Sequence, residues 1–582
     1  DYMDDLHRAD PEAHPAPDTR CYVTVIDAWC RRRDLRSATM AEEYLIRLGS
    51  VRGNSRQARH FNAVMNAYAE SRHAGAGDRA EDLLRVMADL HRGGCGNLRP
   101  ETQTYNTVIK AWARSGRKGS ASRAELVLAQ MEADPDRISY STVIDAWSKS
   151  GERGSAAKAE RLLEEMESLS ENGQLDCSPD RTTINSVIHA WARSGEKGAG
   201  QRSEYLLNWM EFFFDTGDGD MSPDVTTYNS VINTYANSNE PGAARKCLEL
   251  LNRMEKAHTM GNVSAPDVVT VNSVLKAFAK SRQPGSAQKA EDILLRMEEH
   301  GEDKVRPDAF SYNIVMNAWA NSGEEEGAKR AEDILRRMTA AYQASDKRLK
   351  PNVLTYNTLL TALSRTTAED AANRSEKILR QMFRLSDAGE EDCRPDIQSF
   401  TSVINCWAKS RDSHKAKNAQ RVLRQMRSIR EEVDESLRPN VFTYGAVLNA
   451  CAHTYGDREA KNEALTVAIE TFQEMNSKSD GVQGNHVTYG TFLRAITTLM
   501  EEDDDRRDRL VEQVFRRCCK DGQVGSAVLK QISIGVPHLY MSLLGKKAVY
   551  GMVGVEDIPS DWTRNVRERK RSVRKNHRRS HF

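Results

Sequence analysis

The 582-residue sequence has no C-x-x-C pair among its ten cysteines. That absence speaks against a thiolate metal site, and scattered thiols suit a reducing compartment better than a disulfide framework. There is no excess of either charge: Lys+Arg and Asp+Glu both count 84. A uniformly basic surface is excluded, although a basic stripe balanced elsewhere is not. No run approaches the ~18 apolar residues that a membrane span requires, so none is expected. Neither a P-loop nor a G-x-S-x-G elbow is present, and nothing reads as an enzyme. The first stretch, "DYMDDLHRADPEAHPAPD", is acidic and lacks both an apolar h-region and an Arg-rich amphipathic pattern.

What the sequence does hold is repetition. "PDVTTYNSVINTYANS" from Pro223 returns as "PDAFSYNIVMNAWANS" from Pro307 and "PNVLTYNTLLTALSRT" from Pro351. Twelve copies are anchored at Tyr22, Phe61, Tyr105, Tyr140, Ile184, Tyr228, Val271, Tyr312, Tyr356, Phe400, Tyr444 and Tyr489. Most successive anchors stand 43 to 45 residues apart; the shortest step, Tyr105 to Tyr140, is 35. Such regularity is the signature of a tandem array rather than of the four domains that length alone suggests.

Each copy reads as two helices. Tyr105, Val108, Ile109 and Trp112 fall at i, i+3, i+4 and i+7, one apolar face of a helix. Trp29, Trp147, Trp191, Trp319 and Trp407 refill the Trp112 position. A Ser-Gly turn follows, then a second helix such as "AAKAERLLEEMESL" at 156–169, with Ala159, Leu162, Leu163 and Met166 inward. Pro stops the chain and an Asp or Asn caps the next helix. Two such helices cannot bury their faces alone but stacked neighbours can. The expected fold is therefore all-α, a helix-turn-helix repeat solenoid (superhelix) of about twelve repeats. The expected organisation is an N-terminal extension at 1–17, the array at 18–500, a helical cap at 501–560 and a basic tail at 561–582. The acidic run "EEDDDRRD" at 501–508 is expected to be a solvated loop.

The opposite stripe of the first helix is polar: Asn106, Lys110 and Arg114 follow at i, i+4 and i+8. Nine residues after the anchor, seven of twelve copies carry Lys or Arg, among them Arg114, Lys149, Arg193, Lys280, Arg365 and Lys409. These six are the candidate phosphate contacts, since a polyanion along the stripe would meet about one cation per repeat. Helix C-termini also favour cations, so the stripe alone decides nothing.

"TYNTVIKAWARSG…AELVLAQM…PD" and "SYNIVMNAWANSG…AEDILRRM…PN" resemble the pentatricopeptide repeat family over about residues 18 to 500. Only the Tyr105 copy has that family's usual 35-residue length. The resemblance implies a single-stranded RNA-binding solenoid of a mitochondrion or plastid, without cofactor, acting in RNA processing, stability or translation with a processing partner. It also implies one base per repeat, read by the residue after the anchor together with the last residue of the same repeat. The implied pairs are Asn106 with Asp136, Ser141 with Asp180, Asn185 with Asp224, Asn229 with Asp267, and Asn272 with Asp308. Asn313 with Asn352, Asn357 with Asp396, and Thr401 with Asn440 complete the set. The family's pairing habits turn this into 5′-UGUUUCUA-3′. Acceptor-only Asp suits the imino N–H of uracil and guanine, and Asn, which can donate, suits the ring nitrogen of cytosine and adenine.

Two residues before the anchor the family favours an aliphatic that clamps the base. Ile138, Val269, Phe310, Leu354, Phe442 and Val487 fit; Arg20, Arg59, Gln103, Thr182, Thr226 and Gln398 do not. The pairs Val23 with Gln57, Asn62 with Glu101 and Gly445 with Asn485, and Gly490 without a partner, depart from the pattern and are expected to stack or cap. Some relatives of this kind carry a zinc deaminase, whose H-x-E needs a C-x-x-C; "HGE" at His300 has none and reads as loop. The rival reading is a protein-binding helical-repeat scaffold.

Overall fold

A computed structural model gives the fold, and it describes residues 18–49, 57–173, 177–217, 219–238, 240–281, 283–300, 305–344, 346–366, 368–432, 435–477, 482–502, 504–545 and 553–566. The N-terminal extension at 1–17 and residues 567–582 of the expected tail lie outside these residues, while 561–566 are described and begin in the short helix Ser560–Thr563. Among them the secondary structure is helical, without strands.

The chain alternates first and second helices, and repeats are numbered here by anchor, from Tyr22 in repeat 1 to Tyr489 in repeat 12. The first helices are Thr19–Cys30, Ala58–Ser71, Thr102–Arg114, Arg137–Ser150, Arg181–Ser194 and Val225–Asn237, then Val268–Ser281, Ala309–Ser322, Val353–Leu363, Ile397–Lys409, Val441–Ala452 and His486–Leu499. The second helices run from Leu35–Leu48 in repeat 1 to Asp505–Lys520 in repeat 12. That of repeat 3, Ser120–Ala129, is the shortest, which accounts for its 35-residue spacing. The residues form two compact units: one holds repeats 1–6 and the first helix of repeat 7, the other the second helix of repeat 7 and everything after it apart from 302–305.

Most first helices start the same way. Asp136, Asp180, Asp224, Asp308, Asn352, Asp396, Asn440 and Asn485 are N-caps whose side chains accept a backbone N–H of the first turn. In all of these but the helix capped by Asp180, the Ser or Thr three residues later closes a capping box, as Ser139 does by accepting the Asp136 N–H at 3.1 Å. The anchors and the Val-Ile pairs behind them form the core; Tyr228, Val231 and Ile232 are all buried. Burial pushes the Tyr228 phenol up to about 12, as expected for a hydroxyl at a packing position. The turns are pinned from repeat to repeat. Gly154, at φ 78, donates its N–H to Glu196 of the next turn at 3.0 Å.

At four boundaries a side-chain staple joins the second helix to the next repeat. Trp112 Nε1 donates to Glu81 at 3.0 Å, Trp191 to Glu160 at 3.1 Å, Trp319 to Glu291 at 2.9 Å and Trp407 to Glu376 at 2.8 Å. Each carboxylate also meets a cation of that next repeat: Arg123, Arg202, Arg337 and Arg421 respectively. These glutamates are buried, so the indole and the guanidinium compensate a charge that would otherwise be costly to desolvate. The tryptophans thus do more than fill space.

The acidic run follows its expectation only in part: 501, 502 and 504 link two helices, but 505–508 are helical. The second helix of repeat 12 begins at Asp505, Asp504 caps it by accepting the Arg506 N–H at 3.0 Å, and Arg507 is buried. Carboxylates in a first turn complement the helix dipole, so this stretch starts a helix instead of looping. His300 closes a helix, Ser286–His300, rather than lying in a loop. All ten cysteines are free thiols. Among the described residues no helix is long and apolar enough to cross a membrane, and no His/Cys/Asp/Glu cluster of metal-binding size occurs.

Candidate nucleic-acid interface

The first helices of neighbouring repeats bring the expected reading residues together across about forty positions of sequence. Asn106 Nδ2 donates to Asp136 Oδ1 at 3.0 Å and Asn357 Nδ2 to Asp396 Oδ1 at 3.0 Å. Asn185 to Asp224 and Asn229 to Asp267 are longer, at 3.5 Å. The capping hydroxyl fixes the other end of the amide. Ser139 Oγ lies 2.6 Å from Asn106 Oδ1, Thr270 Oγ1 2.6 Å from Asn229 Oδ1, and Ser399 Oγ 2.6 Å from Asn357 Oδ1. A hydroxyl donating to the amide oxygen leaves the NH2 facing the carboxylate, so the orientation follows from chemistry. This role of the Ser or Thr before the anchor went unread in the sequence, although its recurrence signals it.

The cap settles the second residue of each pair. Asp136, Asp180, Asp267 and Asp396 spend Oδ1 on the backbone N–H of the helix start, leaving Oδ2 without a partner among the described residues. Asn352 and Asn440 spend Oδ1 in the same way, leaving Nδ2 without a partner among the described residues. The outward atom is an acceptor at Asp and a donor at Asn. At Asp224, Arg181 stands 3.7 Å from the outer oxygen.

Other expected pairs are arranged differently. Ser141 bonds back to Ile138 O at 3.3 Å and does not reach Asp180. Thr401 meets Thr443 at 2.9 Å, and Thr443 in turn reaches Asn440 Oδ1 at 3.2 Å. Asn313 is buried, its Oδ1 without a partner and not bonded to Asn352. Asn272 is buried in one unit and Asp308 caps a helix in the other.

The clamp positions are on the surface. Ile138, Val269, Phe310, Leu354, Phe442 and Val487 are each more than half exposed, from 51% at Leu354 to 76% at Phe442. Six large apolar side chains in one repeat position gain nothing from folding there. In the second unit Phe442, Thr401, Asn440, Asp396 and Arg365 line one open recess of about 820 Å³, the size of a small-ligand pocket.

The expected phosphate contacts divide. Arg193 and Lys409 are exposed and have no partner among the described residues. Arg114 is paired with Glu70 at 2.6 Å, a carboxylate that also takes Lys110 at 2.8 Å; the Lys110 hydrogen bond and then Arg114 hold it below its usual range. Lys149 is paired with Asp145 at 2.5 Å. Lys280 donates to Asn237, and Arg365 to Asn321 and the Ala320 carbonyl. Sequence spacing could place these cations on one stripe but could not show which already have partners.

A tandem array of helix pairs, with capped polar pairs in several repeats and an exposed apolar residue in six of them, defines an α-helical repeat protein. The family model described as the pentatricopeptide repeat domain matches residues 264–322 and 385–458, and that described as the PPR repeat matches 226–257. Over those residues the chain carries pentatricopeptide repeats. Among solved structures it is similar to the pentatricopeptide repeat protein PPR10 in complex with an 18-nt psaJ RNA element, at 19% identity and a TM-score of 0.41, over 94% of this chain and 78% of that one. It is similar also to PPR10 from maize, at 19% identity and a TM-score of 0.41, over 94% of this chain and 75% of that one. No curated protein matches its sequence.

Proposed function

We propose that the chain is a sequence-specific single-stranded RNA-binding protein taking one base per repeat. One observation carries the reading most: the outward atom is a lone acceptor at Asp136 and Asp267 and a lone donor at Asn352 and Asn440 among the described residues, and each lies next to an exposed apolar clamp. A base edge supplies the missing partner, and its face covers the clamp. Asn106/Asp136, Ser141/Asp180, Asn185/Asp224, Asn229/Asp267, Asn272/Asp308, Asn313/Asn352, Asn357/Asp396 and Thr401/Asn440 read a site near 5′-UGUUUCUA-3′. Ile138, Val269, Phe310 and Leu354 hold bases, and the stripe from Arg114 to Lys409 follows the backbone. The protein occupies an organellar transcript, of mitochondrion or plastid by its family, and acts there in processing, stability or translation.

The protein-scaffold reading draws on a different place. On the second helix of repeat 5, Tyr205 and Phe212 are exposed, and Trp209, Phe213 and Phe212 stack edge-on at 5.2 and 5.6 Å. Selection of bound RNA from a random pool by the purified chain decides between the two. Enrichment near UGUUUCUA supports the RNA reading, and no enrichment of any RNA removes it.

A further inference from the structure

Two copies carry asparagine where others have charge nine residues after the anchor: Asn237 in repeat 6 and Asn321 in repeat 8. Each closes an N-x-x-x-N pair, with Asn233 and Asn317 one turn earlier. In both places the next repeat sends in a cation. Lys280 Nζ donates to Asn237 Oδ1 at 3.2 Å, and Asn237 Nδ2 donates to Asn233 Oδ1 at 3.0 Å. Arg365 Nη1 donates to Asn321 Oδ1, and Asn321 Nδ2 donates to Asn317 Oδ1 at 2.8 Å. The two chains of bonds share no residue and lie in separate units.

Chemistry forces their direction. Lys and Arg have only donors, so the first amide must present its oxygen. Its NH2 then faces the second amide, which must present oxygen in turn. What remains at the end is Nδ2 of Asn233 and of Asn317, with no partner among the described residues. Hydrogen bonds in series polarise one another, so a cation at the head strengthens the donor at the tail. That tail stands four residues after Asn229 or Asn313 on the same stripe of the helix, one turn from a proposed base-reading side chain.

Resting on the RNA-binding reading, we propose that Asn233 and Asn317 contact the RNA backbone, donating to an oxygen of the nucleotide read at Asn229 or Asn313, and that Lys280 and Arg365 act on the strand through them. The two asparagine copies are then not gaps in the cationic stripe. Each borrows its positive end from the following repeat.

A double-mutant cycle in the full chain tests this, using the RNA recovered by selection; if the wild-type chain binds no RNA, the parent reading fails first and the relay with it. Asn233→Leu, Asn237→Leu and Lys280→Met each weaken binding about threefold to tenfold, the range of a lost hydrogen bond. Asn233→Leu combined with Lys280→Met is no weaker than the worse single variant. Losses that multiply place Lys280 directly on the strand and overturn the relay, as does unchanged affinity in Asn233→Leu. Thermal unfolding of each variant separates a packing role: a lowered Tm with unchanged affinity also overturns it. A methylphosphonate at that nucleotide reproduces the loss if the acceptor is a phosphate oxygen, and a 2′-deoxy nucleotide does so if it is the ribose hydroxyl. Neither substitution having an effect removes the backbone contact.

Discussion

The outward atom of each cap is one atom wide, and a single-residue exchange reverses it. Asn352 turns Nδ2 outward because Oδ1 accepts the Thr355 N–H at 3.1 Å. Asn352→Asp keeps that cap and replaces the outward donor by an acceptor. We expect the selected motif to move from C toward U at that one position and nowhere else; an unchanged motif refutes the assignment of this pair. Glu70 offers a second residue-scale test. It neutralises Lys110 and Arg114, which otherwise face the polar stripe. Glu70→Gln removes the ion pair from both, although Lys110 keeps its hydrogen bond to Asn66 at 3.0 Å, and RNA affinity should rise. The slope of log K against log[salt] should steepen by about 0.7 for each phosphate newly met, measured by titration at several salt concentrations.

At the scale of the helix, the staple and the close approaches carry the predictions. Trp191→Phe keeps the ring but leaves Glu160 with Arg202 alone. Losing a buried hydrogen bond to a charged group costs about 1.5–3 kcal/mol, which the urea midpoint and the amide exchange of repeats 4 and 5 should register. Gly200 sits inside a helix, where Gly→Ala ordinarily stabilises by about 1 kcal/mol. Here a Cβ would stand 2.5 Å from the Tyr235 ring, so the repeat boundary would have to open. Gly200→Ala should therefore destabilise, by about 1–3 kcal/mol of overpacking less that helical gain, read in the same denaturation experiment. A stabilised variant would show that the boundary yields freely.

Over the whole molecule the charges cancel, yet their placement is uneven. Glutamates are stapled into repeat boundaries while Arg193 and Lys409 have no partner among the described residues on the first-helix stripe. Residues 567–582 add eight Lys or Arg against one Glu by sequence. Such a segment attracts any polyanion and reads no base. Deleting 567–582 should weaken binding of every RNA by a similar factor and leave the selected motif intact, as equilibrium binding to matched and scrambled RNAs would measure. A changed motif would give the segment a reading role.

The periodicity of Tyr, Val-Ile and Trp was enough to specify paired helices, because burial at helical spacing is a local pattern written into each copy. The capping Asp or Asn before each first helix is local too, and legible for the same reason. Glu stands twenty residues after the anchor in eight of the twelve copies, as at Glu81, Glu160, Glu291 and Glu376, so the staple left a trace. Its meaning did not show, since the indole and guanidinium that justify a buried carboxylate belong to the next repeat. The same holds on the polar stripe. Sequence put Arg114, Lys149, Lys280 and Arg365 in one row, while only the stacking of helices set Glu70 against Arg114 and Asn237 against Lys280. Sequence by itself determined the unit and its period, because those depend on contacts within one turn or two. Tertiary structure decided which side chains are spent and which are left to a ligand, because each such contact closes between neighbouring repeats whose approach no single copy encodes.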